Sequence, residues 1–101
     1  MGRWKTNYFF GEQDADHPRG WTSRTLEPNG ELQYYARPGD VPAAFVWKDG
    51  VLSLVAHPNP DPANRLRHGL PFVSGLITTE KSFRLDEGYF EARMAFPQGK
   101  G

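Results

Sequence analysis

The chain has 101 residues with 12 basic and 12 acidic side chains in balance, so the basic stripe of a nucleic-acid binder is missing. It has no cysteine, which excludes a disulfide framework and thiolate metal sites. No apolar run comes near the roughly 18 residues of a membrane span. What remains is one domain with a lean core, in which 3 Trp, 4 Tyr and 7 Phe supply much of the apolar area.

In chain order, residues 1–7 carry charge without the apolar stretch of an export leader. Residues 11–30 are polar and rich in turn formers and read as a loop. Residues 31–36 have the paired tyrosines of a strand, and residues 37–42 a turn around Pro38 and Gly39. Residues 44–47 and 51–56 flank Asp49-Gly50, which supplies the positive φ of a tight hairpin. The second arm has one polar residue, Ser53, so it is expected to be covered on both faces. Residues 57–71 hold Pro58, Pro60, Pro62 and Pro71 and read as a long surface loop or mobile insertion. Residues 73–79 and 82–85 are strand candidates. So are residues 89–96, with Phe90, Ala92, Met94 and Phe96 on one face. No segment of ten residues has helical periodicity. The expected fold class is all-β, a sandwich or jelly roll. The five or six strands visible are fewer than a complete sandwich uses, which predicts an incomplete, aggregation-prone domain.

Catalytic constellations are sparse. Glu12, Asp14 and Asp16 have strand parity but lie in a polar loop, and read as a solvated acidic turn. Glu87 and Glu91 are four apart, yet Tyr89 intervenes and Arg93 neighbours Glu91, which predicts a structural ion pair. His17, His57 and His68 lack metal-ligand spacing and read as exposed loop residues. Ser74-Gly75 lacks the context of a nucleophile elbow. The expectation is no catalytic residue and no metal ligand within the chain.

Three blocks carry a family resemblance. Asn29-Gly30-Glu31-Leu32-Gln33-Tyr34-Tyr35 and Asp49-Gly50-Val51-Leu52-Ser53-Leu54 come first. Residues 74–101 follow, with Gly88-Tyr89-Phe90-Glu91-Ala92-Arg93 and the closing Pro97-Gln98-Gly99-Lys100-Gly101. In order and spacing they resemble glycoside hydrolase family 16, the laminarinase- and lichenase-like β-glucanases, over about residues 21–101. Leu76 departs from the arginine that many members place there, which points away from laminarin and toward less typical branches, such as those acting on bacterial exopolysaccharides.

The resemblance implies a concanavalin-like jelly roll and retaining endo-hydrolysis of O-glycosidic bonds in β-1,3/1,4-glucans or related polysaccharides. Residues 1–101 would be the N-terminal part of one such domain. The family's Glu-x-Asp-x-(x)-Glu strand is not in the chain, so the fragment is expected to be inactive alone. The alternative is a non-catalytic carbohydrate-binding β-sandwich. Substrate-binding candidates are Asn29, Glu31 and Ser74; Trp21, Tyr35 and Trp47 could stack on sugar but are expected in the core. No cofactor is expected, although the Gly50 carbonyl matches a structural calcium position in some members. A polysaccharide partner, no nucleic acid or membrane, a monomeric intact protein and an exported location complete what the resemblance implies.

Overall fold

A computed structural model describes residues 2–14, 16–64 and 67–99. Met1, Ala15 of the acidic run, and Lys100 and Gly101 of the closing run lie outside the described residues. The chain is built from strand, turn and two short 3-10 segments, Gly20–Ser23 and Glu27–Asn29, with no α-helix among the described residues. The all-β expectation holds at that level.

Among the described residues, five short strands form two sheets. Strand β1 (Gln33–Tyr35) pairs in parallel with β5 (Phe72–Ser74), in the register Gln33 to Phe72 and Tyr35 to Ser74. Strand β4 (His57–Pro58) adds to the other edge of β5, antiparallel. Strands β2 (Phe45–Lys48) and β3 (Val51–Leu54) make a separate two-stranded hairpin. Its loop is the two residues Asp49 and Gly50, at φ 51 and 76. Positive φ at both is the type I′ geometry that matches the strand twist.

The core is small. Val73, Ala36 and Ala44 are fully buried, with Phe45 packed against them, and Tyr34 and Tyr35 are buried beside this cluster. Gly75 lets the hairpin approach: a Cβ there would stand 2.8 Å from the Ala44 carbonyl oxygen and 3.2 Å from Leu54 Cδ2.

The polar segment 20–25, expected as loop, forms the second wall of this core. Trp21, Ser23, Arg24 and Thr25 are all buried. Backbone pairing explains how: the Ser23 carbonyl accepts from Tyr8 N–H at 2.8 Å, and the Arg24 carbonyl from Tyr35 N–H at 2.8 Å. The Arg24 guanidinium donates to the carbonyls of Thr6 at 3.0 Å and Tyr35 at 2.9 Å. Buried polar groups are tolerated when they are bonded in this way; the Thr25 hydroxyl is the exception, buried without a hydrogen-bond partner among the described residues.

The described part of the proline-rich stretch, residues 57–64 and 67–71, is tied to the rest of the fold rather than being a plain surface loop. His57 and Pro58 join the sheet, and Asn59 is buried, receiving Arg67 Nη1 at 3.1 Å and donating to the Leu70 carbonyl at 2.8 Å. Arg67, also buried, reaches the Val41 carbonyl at 2.8 Å. An amide and a guanidinium thus supply the order that apolar periodicity does not.

Other strand expectations contract. Of residues 73–79, only Val73 and Ser74 lie in a strand, although Thr78 bridges antiparallel to Lys5. Residues 82–85 and 89–96 form no strand, and Tyr89, Phe90, Met94 and Phe96 are exposed. Alternation makes a strand only where a neighbour offers backbone partners, and none among the described residues does so here. The second hairpin arm is also not covered on both faces: Val51 and Leu54 are exposed.

Candidate functional site

The turn before β1 is set by its own hydrogen bonds. The Leu26 carbonyl accepts from Asn29 N–H at 3.0 Å and the Glu27 carbonyl from Gly30 N–H at 2.9 Å, with Pro28 near the segment's start. Glu31 then reaches back, its Oε2 accepting from Leu26 N–H at 3.0 Å. Its Oε1 faces the Tyr8 hydroxyl at 3.5 Å. Glu31 is half-buried, whereas Asn29 is exposed, and among the described residues no group takes the Asn29 side-chain amide.

Aromatic rings support this turn from below. Tyr8 stacks on Phe10 with centroids 4.8 Å apart and meets Tyr35 edge-on at 5.8 Å. The Tyr35 hydroxyl accepts from Gln33 Nε2 at 2.9 Å. Burial pushes the phenols of Tyr35, Tyr34 and Tyr8 above their ordinary value. They stay neutral hydroxyls at physiological pH. This surface offers amide, carboxylate and hydroxyl groups beside aromatic faces, which suits sugar hydroxyls and C–H edges.

Ser74 stands elsewhere. It ends β5 opposite Tyr35, and its carbonyl accepts from Ala36 N–H at 2.9 Å. Because β1 and β5 run in parallel, Ser74 sits at the far end of the strand pair from Glu31. Asn29 and Glu31 are therefore brought together, and Ser74 is one strand length away. Of the stacking candidates, Tyr35 and Trp21 are buried as expected. Trp21 lies flat against His68, with centroids 3.9 Å apart and planes 3° from parallel. Trp47 departs from expectation: it is 68% exposed, at the turn end of a hairpin face whose other end, Phe45, packs against the core.

The acidic groups remain local. Glu12 Oε1 accepts from Asp14 N–H at 3.1 Å and Asp14 Oδ1 from Asp16 N–H at 3.0 Å, the solvated turn that was expected. Glu91 is not paired with Arg93; its carboxylate takes the Tyr89 hydroxyl at 3.3 Å, and both charges are exposed in an unpaired extended segment. The histidines differ from one another. His17 is exposed beside Glu12 at 3.8 Å. His57 is in β4, half-buried, with Nε2 3.0 Å from the Ala43 carbonyl. His68 is exposed over Trp21.

Among the described residues no three His, Cys, Asp or Glu side chains converge on a point that could hold a metal. Among the described residues, one open depression of about 570 Å³ is lined by residues 80–84, and another of about 320 Å³ by Lys5, Tyr8, Phe9, Gln13 and Lys81 among others. Tyr8 belongs both to the smaller depression and to the Glu31 contact.

The chain is similar to two endo-1,3-1,4-β-glycanases. It is 33% identical over 104 residues to the endo-1,3-1,4-beta-glycanase EglC of Rhizobium meliloti (strain 1021), covering 99% of this chain and 21% of that protein. It is 37% identical over 81 residues to ExsH of the same organism, named likewise, covering 76% of this chain and 17% of that one. The chain thus spans about a fifth of the length of the curated relatives it matches. No family model and no solved structure matches it.

Sequence reasoning missed Tyr8, Arg24 and Arg67. Tyr8 carried a weak signal, the aromatic run Tyr8-Phe9-Phe10, but its partner Glu31 is 23 positions away. The two arginines gave none, since a buried cation held by carbonyls looks like any surface arginine in one dimension.

Proposed function

We propose that residues 1–101 are the N-terminal part of a glycoside hydrolase family 16 domain. The whole domain would be a retaining endo-β-glycanase acting on β-1,3/1,4-glucans or a related polysaccharide. The observation that carries this reading is the similarity to two endo-1,3-1,4-β-glycanases, which in EglC runs through nearly the whole chain. The fold, on this reading, is a concanavalin-like jelly roll. The exposed apolar face of the hairpin and the exposed segment 89–96 support it, because jelly-roll strands bury such faces against an opposing sheet.

Retention of configuration needs a nucleophile and an acid/base carboxyl about 5–5.5 Å apart across the scissile bond. Glu12 and Asp14 are engaged in their own turn, and Glu87 and Glu91 are exposed in an unpaired segment. The catalytic pair is assigned to the Glu-x-Asp-x-(x)-Glu strand outside this chain. Asn29 and Glu31 are assigned to the glycone side of the cleft and Ser74 to the cleft further along, where the Asn29 amide and the Ser74 hydroxyl match sugar hydroxyls.

The test is to offer the purified chain a mixed-linkage β-1,3-1,4-glucan and follow reducing ends and affinity electrophoresis together. The expected result is retarded migration without release of reducing ends. Hydrolysis by the chain alone would overturn the placement of the catalytic pair, and unaltered migration would overturn the glycan reading. The same lack of an acidic pair favours a second reading, a binding module. An in-frame downstream Glu-x-Asp-x-(x)-Glu separates the two.

A further inference from the structure

We infer that Glu31 is a positioning residue, whose carboxylate braces the turn that presents Asn29 to the glycan. This deepens the reading above and rests on it. Both backbone groups of Leu26 are committed within the turn: its carbonyl to Asn29 N–H at 3.0 Å, its N–H to Glu31 Oε2 at 3.0 Å. Leu26 is thus a pivot with Asn29 on one side and Glu31 on the other. The second Glu31 oxygen faces Tyr8, whose ring is fixed by Phe10 and Tyr35.

Asn29 has the opposite character. Its backbone is held, its side chain is exposed, and among the described residues nothing takes its two donors and one acceptor. The group that is free to meet a sugar is the amide, and the group that is spent on the protein is the carboxylate. A free side chain on a fixed backbone loses less entropy on binding than one on a loose turn.

The structure also says which substitution preserves the brace. In Glu31→Gln the amide oxygen still accepts from Leu26 N–H, while Glu31→Leu leaves that N–H without a partner. The experiment is calorimetric titration of the chain with a mixed-linkage β-1,3-1,4-glucan tetrasaccharide, alongside amide hydrogen exchange at Leu26. Asn29→Ala should weaken binding about tenfold, the loss of one or two neutral hydrogen bonds. Glu31→Leu should weaken it by a similar factor and speed Leu26 exchange. Glu31→Gln should stay within about threefold of wild type and keep Leu26 protected, and the Asn29→Ala/Glu31→Leu double variant should bind no worse than Asn29→Ala, as coupled residues do.

Two results overturn the brace: Glu31→Gln losing as much as Asn29→Ala, or Leu26 exchange unchanged in Glu31→Leu. Additive losses in the double variant would make Glu31 a sugar contact in its own right. A wild-type chain that does not bind the tetrasaccharide sinks the glycan reading and the presentation of Asn29 with it. Leu26 exchange would still show, separately, whether the carboxylate holds the turn.

Discussion

Residues 20–25 (Gly-Trp-Thr-Ser-Arg-Thr) and residues 89–96 (Tyr-Phe-Glu-Ala-Arg-Met-Ala-Phe) differ in composition in one direction and in burial in the other. The first is the more polar and lies inside: Ser23 and Thr25 are 1% and 2% exposed. The second alternates like a strand and lies outside, with Phe90 and Phe96 73% and 77% exposed. The difference lies in backbone partners. Segment 20–25 finds them in Tyr8 and Tyr35, and its arginine finds two carbonyls. Segment 89–96 has no neighbouring strand among the described residues. Burial here follows the availability of backbone partners more closely than hydropathy, even though the Thr25 hydroxyl itself goes unpartnered among the described residues.

The contrast can be broken most forcefully at Gly11, which lies against segment 20–25. A Cβ there would stand 2.6 Å from both the carbonyl carbon and oxygen of Thr22, at a φ of +78 that disfavours any side chain. Gly11→Ala should cost roughly 4 kcal/mol in a denaturant titration, or abolish the cooperative transition. A loss under about 1 kcal/mol would mean the 20–25 wall is not packed as described.

Next in size is Arg24→Met, which strips a shared donor from the Thr6 and Tyr35 carbonyls. Unpartnered buried groups predict a loss of about 2–4 kcal/mol, read by the same titration. Arg24→Lys should recover only part of it, since one ammonium does not reproduce the guanidinium fork.

Alkaline titration probes the same wall without mutation. Burial raises the phenols of Tyr34, Tyr35 and Tyr8 above 10.0. A raised folded value means stability that is complete below about pH 10 and is lost as pH climbs through the folded values. Arg24 has the opposite sign: burial, then the nearby Arg37, lower its guanidinium below its ordinary value, so its contribution is present above that value and lost on the way down. As pH climbs above 10 the three phenols should dominate. Phenolate absorbance should therefore rise together with loss of near-ultraviolet circular dichroism. Full ionisation of these phenols with the dichroism intact would contradict their burial.

The smallest effect is expected in the other segment. Phe90→Ser with Met94→Ser should change the stability of this chain by under about 0.5 kcal/mol, while sharply reducing self-association in sedimentation. A larger loss would show that residues 89–96 pack against the fold in solution.

What could be read from sequence was what is local. The Asp49-Gly50 hairpin followed from two residues whose φ values only a tight turn uses, and β1 from the tyrosines beside it. The Asn29-Gly30 turn was equally visible. Its brace was not, because Glu31 folds back on Leu26 through a side chain, and no periodicity records that. The attachment of Asn59 to the fold rests on its meeting Arg67 across eight positions, which no periodicity records. Segments 82–85 and 89–96 had the right alternation and the wrong surroundings. Trp47 was placed inside because tryptophans usually are, yet it lies at the turn end of the hairpin, beyond the part of its face that Phe45 packs against the core.

The parallel pairing of β1 with β5 fixes an order of events. Gln33 meets Phe72 only after everything between them has been laid out, including a hairpin whose arms touch across two residues. Closing so long a loop costs chain entropy that no local contact returns, and non-local pairing of this kind slows folding. The hairpin is thus free to form early, and the β1/β5 pair closes late. Mutations at Val46 or Val51 should act mainly on one rate and mutations at Val73 on another, so that the two sheets of this small fold are separable in time as well as in space.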